Sequence, residues 1–200
     1  MGASLSLVAV LALLSSGCLP RVGEAVDAGQ MDAGDGGGVT PGCMDRVRSG
    51  DETGVDCGGS CAPCENGAAC GSALDCLSGV CLNQTCAAAP GNCVGFGACS
   101  SFVDLTADAA NRTITFGGGS ERYSPACVRV RFGQTVTWSG SFGNHPLREA
   151  CSPVPGGLTA TSGASHSVTF DKALGVFGFY CDVHGSSSGA GMAGAVEVVR

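Results

Sequence analysis

Residue types that bind soft transition metals cluster near the C-terminus. In Phe179-Tyr180-Cys181-Asp182-Val183-His184 a thiol and an imidazole stand in a Cys-x-x-His spacing, and after a Gly/Ser stretch comes Gly191-Met192-Ala193-Gly194. A second imidazole lies far upstream, in Phe142-Gly143-Asn144-His145-Pro146-Leu147. One thiolate, two imidazoles and a weak thioether form the donor set that accepts copper in both of its oxidation states. Such a set relays single electrons and performs no bond chemistry. A lone buried Cys or an isolated His is usually structural, and Met192 by itself would pass for core packing. The combination and order of the four residues are what point to a metal. With three His in the whole chain, a multicopper cluster or a separate catalytic copper is out of reach, so the expectation is a carrier and not an enzyme. His166, between two serines, reads as an exposed strand-edge residue with no metal role.

His145 can meet the C-terminal loop only if the intervening chain folds back across itself, and the sequence supplies the elements for that. Short β-rich runs separated by Gly or Pro occupy 101–106, 112–116, 127–132, 134–138, 167–170, 176–180 and 195–199, with no helical period of useful length. They predict an all-β domain, an antiparallel sandwich, with Gly133 turning a hairpin between two strands. One loop between the last two strands then presents Cys181, His184 and Met192. The loop after the strand ending at Trp138 presents His145 from across the sandwich. Trp138 and Phe179 read as core packing.

The segments Val128 to Trp138 and Tyr180 to Gly194 resemble, respectively, the strand pair before the first ligand and the ligand loop of the cupredoxin family of blue-copper proteins. The resemblance runs from about residue 99 to 200 in the family's order. It implies a Greek-key sandwich over 93–200 and one type 1 copper ion held by His145, Cys181 and His184, with Met192 in the axial position. It also implies electron transfer with transient redox protein partners by a monomer, through an exposed His184. Seven residues separate His184 from Met192, a longer loop than the plastocyanin type, so a backbone carbonyl near Asn144 or an empty axial position stays open. Pro146 stands where many relatives carry Asn, and a proline has no N–H to donate toward the thiolate. A lower reduction potential follows as an expectation. Around His184, Gly, Ala and Ser with Phe142, Pro146 and Leu147 read as a low-charge collar suited to brief docking. Two other classes use the same chain differently. Copper sequestration or delivery would favour a Met-rich face, whereas only four Met are present, unclustered. A structural cell-surface module would make the sandwich a passenger.

Fourteen cysteines place the chain in an oxidising compartment. Residues 5–14 are an apolar run too short to span a membrane, and Ser15-Ser16-Gly17-Cys18 follows it. Residues 1–17 therefore read as an export signal. The ending resembles a bacterial lipoprotein signal, which implies a lipid on Cys18 as the one attachment to a membrane, in the periplasm or at the cell surface. No Lys or Arg precedes the run, and an ordinary secretory signal is the alternative. Residues 18–42, rich in Gly, Ala and Asp, read as a flexible tether. Residues 43–92 hold eight cysteines and few large apolar side chains, which predicts a module with little regular structure, shaped by four disulfides. Cys61 and Cys64 as a zinc knuckle or redox couple is the lesser reading, since no nearby His completes a mixed zinc site. Setting aside Cys18 and Cys181 leaves twelve cysteines, eight in the module plus Cys93, Cys99, Cys127 and Cys151. All can pair, in a connectivity the sequence does not reveal. The net charge of −7 comes from the first 92 residues, and residues 93–200 hold seven charges of each sign. No basic stripe with interleaved aromatics is present, which excludes nucleic acid as a partner.

Overall fold

The computed structural model describes residues 42–89 and 93–200, all within one compact unit. The expected signal, the tether up to residue 41 and Cys18 lie outside the described residues. The described residues form eleven strands: β1 (Cys81–Leu82), β2 (Thr85–Cys86), β3 (Val103–Asp104), β4 (Thr113–Gly117), β5 (Ser120–Ser124), β6 (Cys127–Arg131), β7 (Thr135–Ser139), β8 (Leu147–Cys151), β9 (Ser165–Thr169), β10 (Gly175–Gly185) and β11 (Gly191–Val199). The last nine form two sheets, ordered β3-β6-β11-β10-β8 and β5-β4-β7-β9. Period-2 burial drives this layering. Ile114 and Phe116 of β4, Val136 and Trp138 of β7, and Val128 and Val130 of β6 turn inward and meet Phe177, Phe179, Val196 and Val198 in one core.

All seven strand segments read from the sequence are present, with shifted ends. Beyond the short β1–β2 pair of the module, two strands of the sandwich are additional. β5 (Ser-Glu-Arg-Tyr-Ser) buries Tyr123 alone, and β8 (Leu-Arg-Glu-Ala-Cys) carries little β-propensity, so neither leaves an alternating apolar trace. The sandwich is mixed and not purely antiparallel, for β11 with β6, β3 with β6 and β4 with β7 run parallel. Gly133 does not turn a hairpin, because β6 and β7 belong to different sheets. It closes an arch in which Gln134 N–H donates to the Arg131 carbonyl (3.0 Å) and Gly133 N–H to that of Phe170 (2.8 Å). At φ 85° that position favours glycine. An arch and a hairpin bury the same alternating residues, so periodicity cannot tell them apart.

The five-stranded sheet is covered on its second face too. The segment around the short 3₁₀ turn Phe96–Ala98 lays Phe96 over Val176, Ala193 and Ala195. Disulfides Cys93–Cys151 and Cys99–Cys127 pin it there. Burial on both faces accounts for the near-continuous apolar reading of β10 and β11.

The module is built on disulfides Cys43–Cys61, Cys57–Cys64, Cys70–Cys81 and Cys76–Cys86, with Cys64, Cys70, Cys76 and Cys86 buried together. Cys61 and Cys64 bond to different partners, which removes both the zinc-knuckle and the redox-couple readings. Asp75 is the module's polar anchor. Its carboxylate accepts from the N–H groups of Gly59 (3.1 Å), Gly71 (2.8 Å) and Ser72 (2.8 Å). Burial pushes its pKa up, but these backbone donors together outweigh that and leave it below 3.8. A depressed carboxylate contributes stability that is present above its unfolded value and is lost as pH falls through the folded one. Asp75→Asn is therefore expected to cost about 1–3 kcal/mol at neutral pH, with a gap to wild type that shrinks as the pH falls below 3.8, as read from denaturant melts at decreasing pH.

Module and sandwich share a core residue. Val80 is fully buried among Phe170, Ala173 and Phe177, and it pairs with Ala173 in an isolated bridge. Leu174 N–H donates to the Gly79 carbonyl (2.9 Å). Arg200 donates to the carbonyls of Leu74 (2.6 Å) and Cys76 (2.8 Å).

Candidate metal centre

The centre arises where the β10–β11 ladder slips. Pairing runs regularly to Tyr180↔Ala193 and resumes at Gly185↔Gly191, with a register shift between. The stretch Cys181 to His184 on β10 therefore faces Met192 alone on β11. Two glycines permit this. A Cβ at Gly185 would lie 2.4 Å from the Met192 carbonyl oxygen, and one at Gly191, where φ is +73°, would lie 2.3 Å from that of His184. On the other side of β10, Cys181 pairs with Leu147 of β8. Asp182 N–H donates to the Pro146 carbonyl at 2.9 Å, which draws the His145 loop against the ligand strand. His145 is held in that loop by its own N–H, which donates to the Ser141 carbonyl (3.0 Å).

The result is a convergence of three side chains. Cys181 Sγ lies 3.5 Å from His184 Nδ1 and 3.9 Å from His145 Nδ1, and the two imidazole centroids are 4.6 Å apart. Bond lengths of about 2.0–2.3 Å set two donors on one ion roughly 3.5–4 Å apart, so this spacing fits a shared metal. Among the described residues Cys181 is the one cysteine outside a disulfide, and it is fully buried. Met192 is buried in the same core cluster. A soft thiolate with two imidazoles is a donor set that fits copper. His145 and His184 are half-buried. His166 stands apart on β9, the outer strand of its sheet, with Nε2 2.9 Å from the Gly157 carbonyl oxygen.

Aromatic rings wall the site. Phe116 packs edge-on against His145 (6.0 Å) and Tyr123 (5.4 Å), while Tyr123 and Trp138 both pack on Phe179. Trp138 and Phe179 are fully buried core, as the sequence predicts. Burial first, and the Cys181 thiol second, push the Tyr123 phenol well above its ordinary range. It stays neutral beside the thiol.

The collar departs from the sequence reading. Phe142 and Leu147 are fully buried, because β8 begins at Leu147 and turns that side chain into the core. The mouth is lined instead by Gly119, Ser120, Glu121 and Asn144 around the two imidazoles. β5 and its preceding Gly117-Gly118-Gly119 turn left no recognisable motif, so Glu121 was beyond the reach of the sequence.

No family model matches the chain. It is 33% identical over 105 residues to the chloroplastic plastocyanin of Tetradesmus obliquus, a match covering 47% of this chain and 70% of that protein. It is likewise 33% identical over 91 residues to a plastocyanin of Scenedesmus fuscus, covering 40% and 89%. Among solved structures, the oxidised plastocyanin of Dryopteris crassirhizoma matches at 23% identity and a TM-score of 0.33, covering 44% of this chain and 99% of that one.

Proposed function

The chain belongs to the plastocyanin-like cupredoxin family, and from that premise we propose that His145, Cys181 and His184, with Met192 as axial partner, hold one type 1 copper ion for electron transfer outside the cytoplasm. The observation that carries the reading is the meeting of the one thiol left unpaired among the described residues with two ring nitrogens, one of them 36 residues away in the chain. Copper, when bound, supplies a one-electron couple. The protein's part is to keep the donors fixed. Cys181 is paired with Leu147 of β8, His145 is braced by Phe116, and the buried aromatic wall excludes water from the thiolate side. Little rearrangement is then needed between oxidation states. His184 and His145 both line the mouth next to β5, and His184, whose Nε2 faces Glu121 of that strand, is the electron port toward transient redox partners. Six disulfides support an oxidising compartment, and export with a lipid on Cys18 remains part of the proposal.

Visible spectroscopy of the copper-loaded full chain is the test. The proposal expects an intense blue or green thiolate-to-copper band that bleaches reversibly on reduction, with copper retained against a chelator. Rapid loss of the metal to the chelator would instead indicate delivery.

Pro146 provides a tuning prediction. It offers no N–H toward the thiolate, and its carbonyl is already engaged by Asp182. Pro146→Asn is expected to raise the reduction potential, because an added donor stabilises the electron-rich thiolate of the reduced site. A redox titration showing no change or a fall would count against this.

A further inference from the structure

We propose that Glu121 is a positioning residue of the electron port, whose carboxylate bears on the outward nitrogen of His184 and biases the site toward its oxidised form. The inference rests on the copper reading above. His184 turns Nδ1 inward, 3.5 Å from Cys181 Sγ, which leaves Nε2 facing the mouth. Glu121 Oε1 lies 3.6 Å from that nitrogen, beyond a full hydrogen bond but close enough for its charge to act. No Lys or Arg lines this mouth. Arg148, on the strand that follows the His145 loop, is paired with Asp182 at 3.1 Å. The carboxylate at the port is therefore not neutralised by a cation.

A carboxylate facing the outer N–H of a ligating imidazole makes that ring a stronger donor. A fixed negative charge also favours the more positive of two metal states. Both effects act in the same direction. Because the Glu121 side chain is 71% exposed, water and salt weaken the interaction, which gives it a signature that a packing role would lack. Part of the port's dependence on ionic strength then runs through this side chain.

The test uses the copper-loaded full chain, titrated against a reference redox couple at fixed pH in low salt and in about 1 M salt. Glu121→Gln is expected to shift the exchange equilibrium toward the reduced protein by roughly two- to fivefold in low salt, with the difference from wild type collapsing in high salt. Glu121→Asp, which keeps the charge at shorter reach, is expected to fall between the two. A visible band present in both proteins with identical equilibria in low salt overturns the role of Glu121 and leaves the copper reading standing. A difference that persists undiminished in high salt overturns it as well, since it would mark altered packing and not charge. A wild type without the band overturns the copper reading, and the role of Glu121 with it.

Discussion

Cys181→Ser is expected to erase the visible absorption band completely and to lower copper affinity by more than about 100-fold, the upper end of what even an outer-shell substitution costs. A serine hydroxyl is hard, is not ionised at neutral pH, and donates no thiolate charge to the metal. The two imidazoles left behind, His145 and His184, would still bind a metal weakly, but without the strong visible transition. The side chain is fully buried, on a residue paired with Leu147 of β8, and the hydroxyl replaces the thiol at nearly constant volume. Its burial without a partner costs about 1–3 kcal/mol. The metal-free variant is therefore expected to melt cooperatively, only modestly below wild type. Spectral loss with an intact melt assigns Cys181 to the metal; an unchanged band in the variant would remove the central residue from the proposal.

The site was more legible in the sequence than the fold that carries it. Cys181, His184 and His145 announce themselves by chemistry, because few other arrangements use a thiol and two imidazoles in that order, and cysteine pairing leaves Cys181 alone free among the described residues. Geometry that rests on the backbone left a weaker trace. β5 and β8 are held by pairing with their neighbours and not by an apolar stripe. The β6–β7 arch has the same periodicity as a hairpin. The misjudged collar follows from this, since Leu147 reads as an exposed loop residue until β8 is recognised and its first side chain turns inward. Glu121 was invisible for a related reason. Its importance comes from a strand the sequence did not reveal and from a distance to His184 that no spacing encodes. Disulfide connectivity was likewise beyond reach, as even pairing fixes a count and not a map.

The role of the cysteine module can be separated from that of a mere spacer through Val80. This residue lies within the module's Cys76–Cys86 disulfide loop, yet its side chain is fully buried in the sandwich core beside Phe170, Ala173 and Phe177. Burying a valine contributes about 1.5–3 kcal/mol, and the Arg200 donations to Leu74 and Cys76 tie the end of the chain to the same module. Val80→Asp forces an unpaired carboxylate into that apolar contact and is expected to cost at least about 3 kcal/mol, a drop in Tm of roughly 10 °C for a chain of this size. The milder Val80→Ala, which leaves no buried charge, is expected to cost about 2 kcal/mol. Val80 touches the loop that enters β10 at Gly175, whereas the ligand segment lies at the opposite end of that strand. Both substitutions should therefore lower the melting temperature while the folded protein keeps its visible band and reduction potential. A module that served only as a tether would leave the melt of the sandwich untouched by Val80→Ala. A shift in potential would mean instead that strain at the base of β10 reaches Cys181 along the strand.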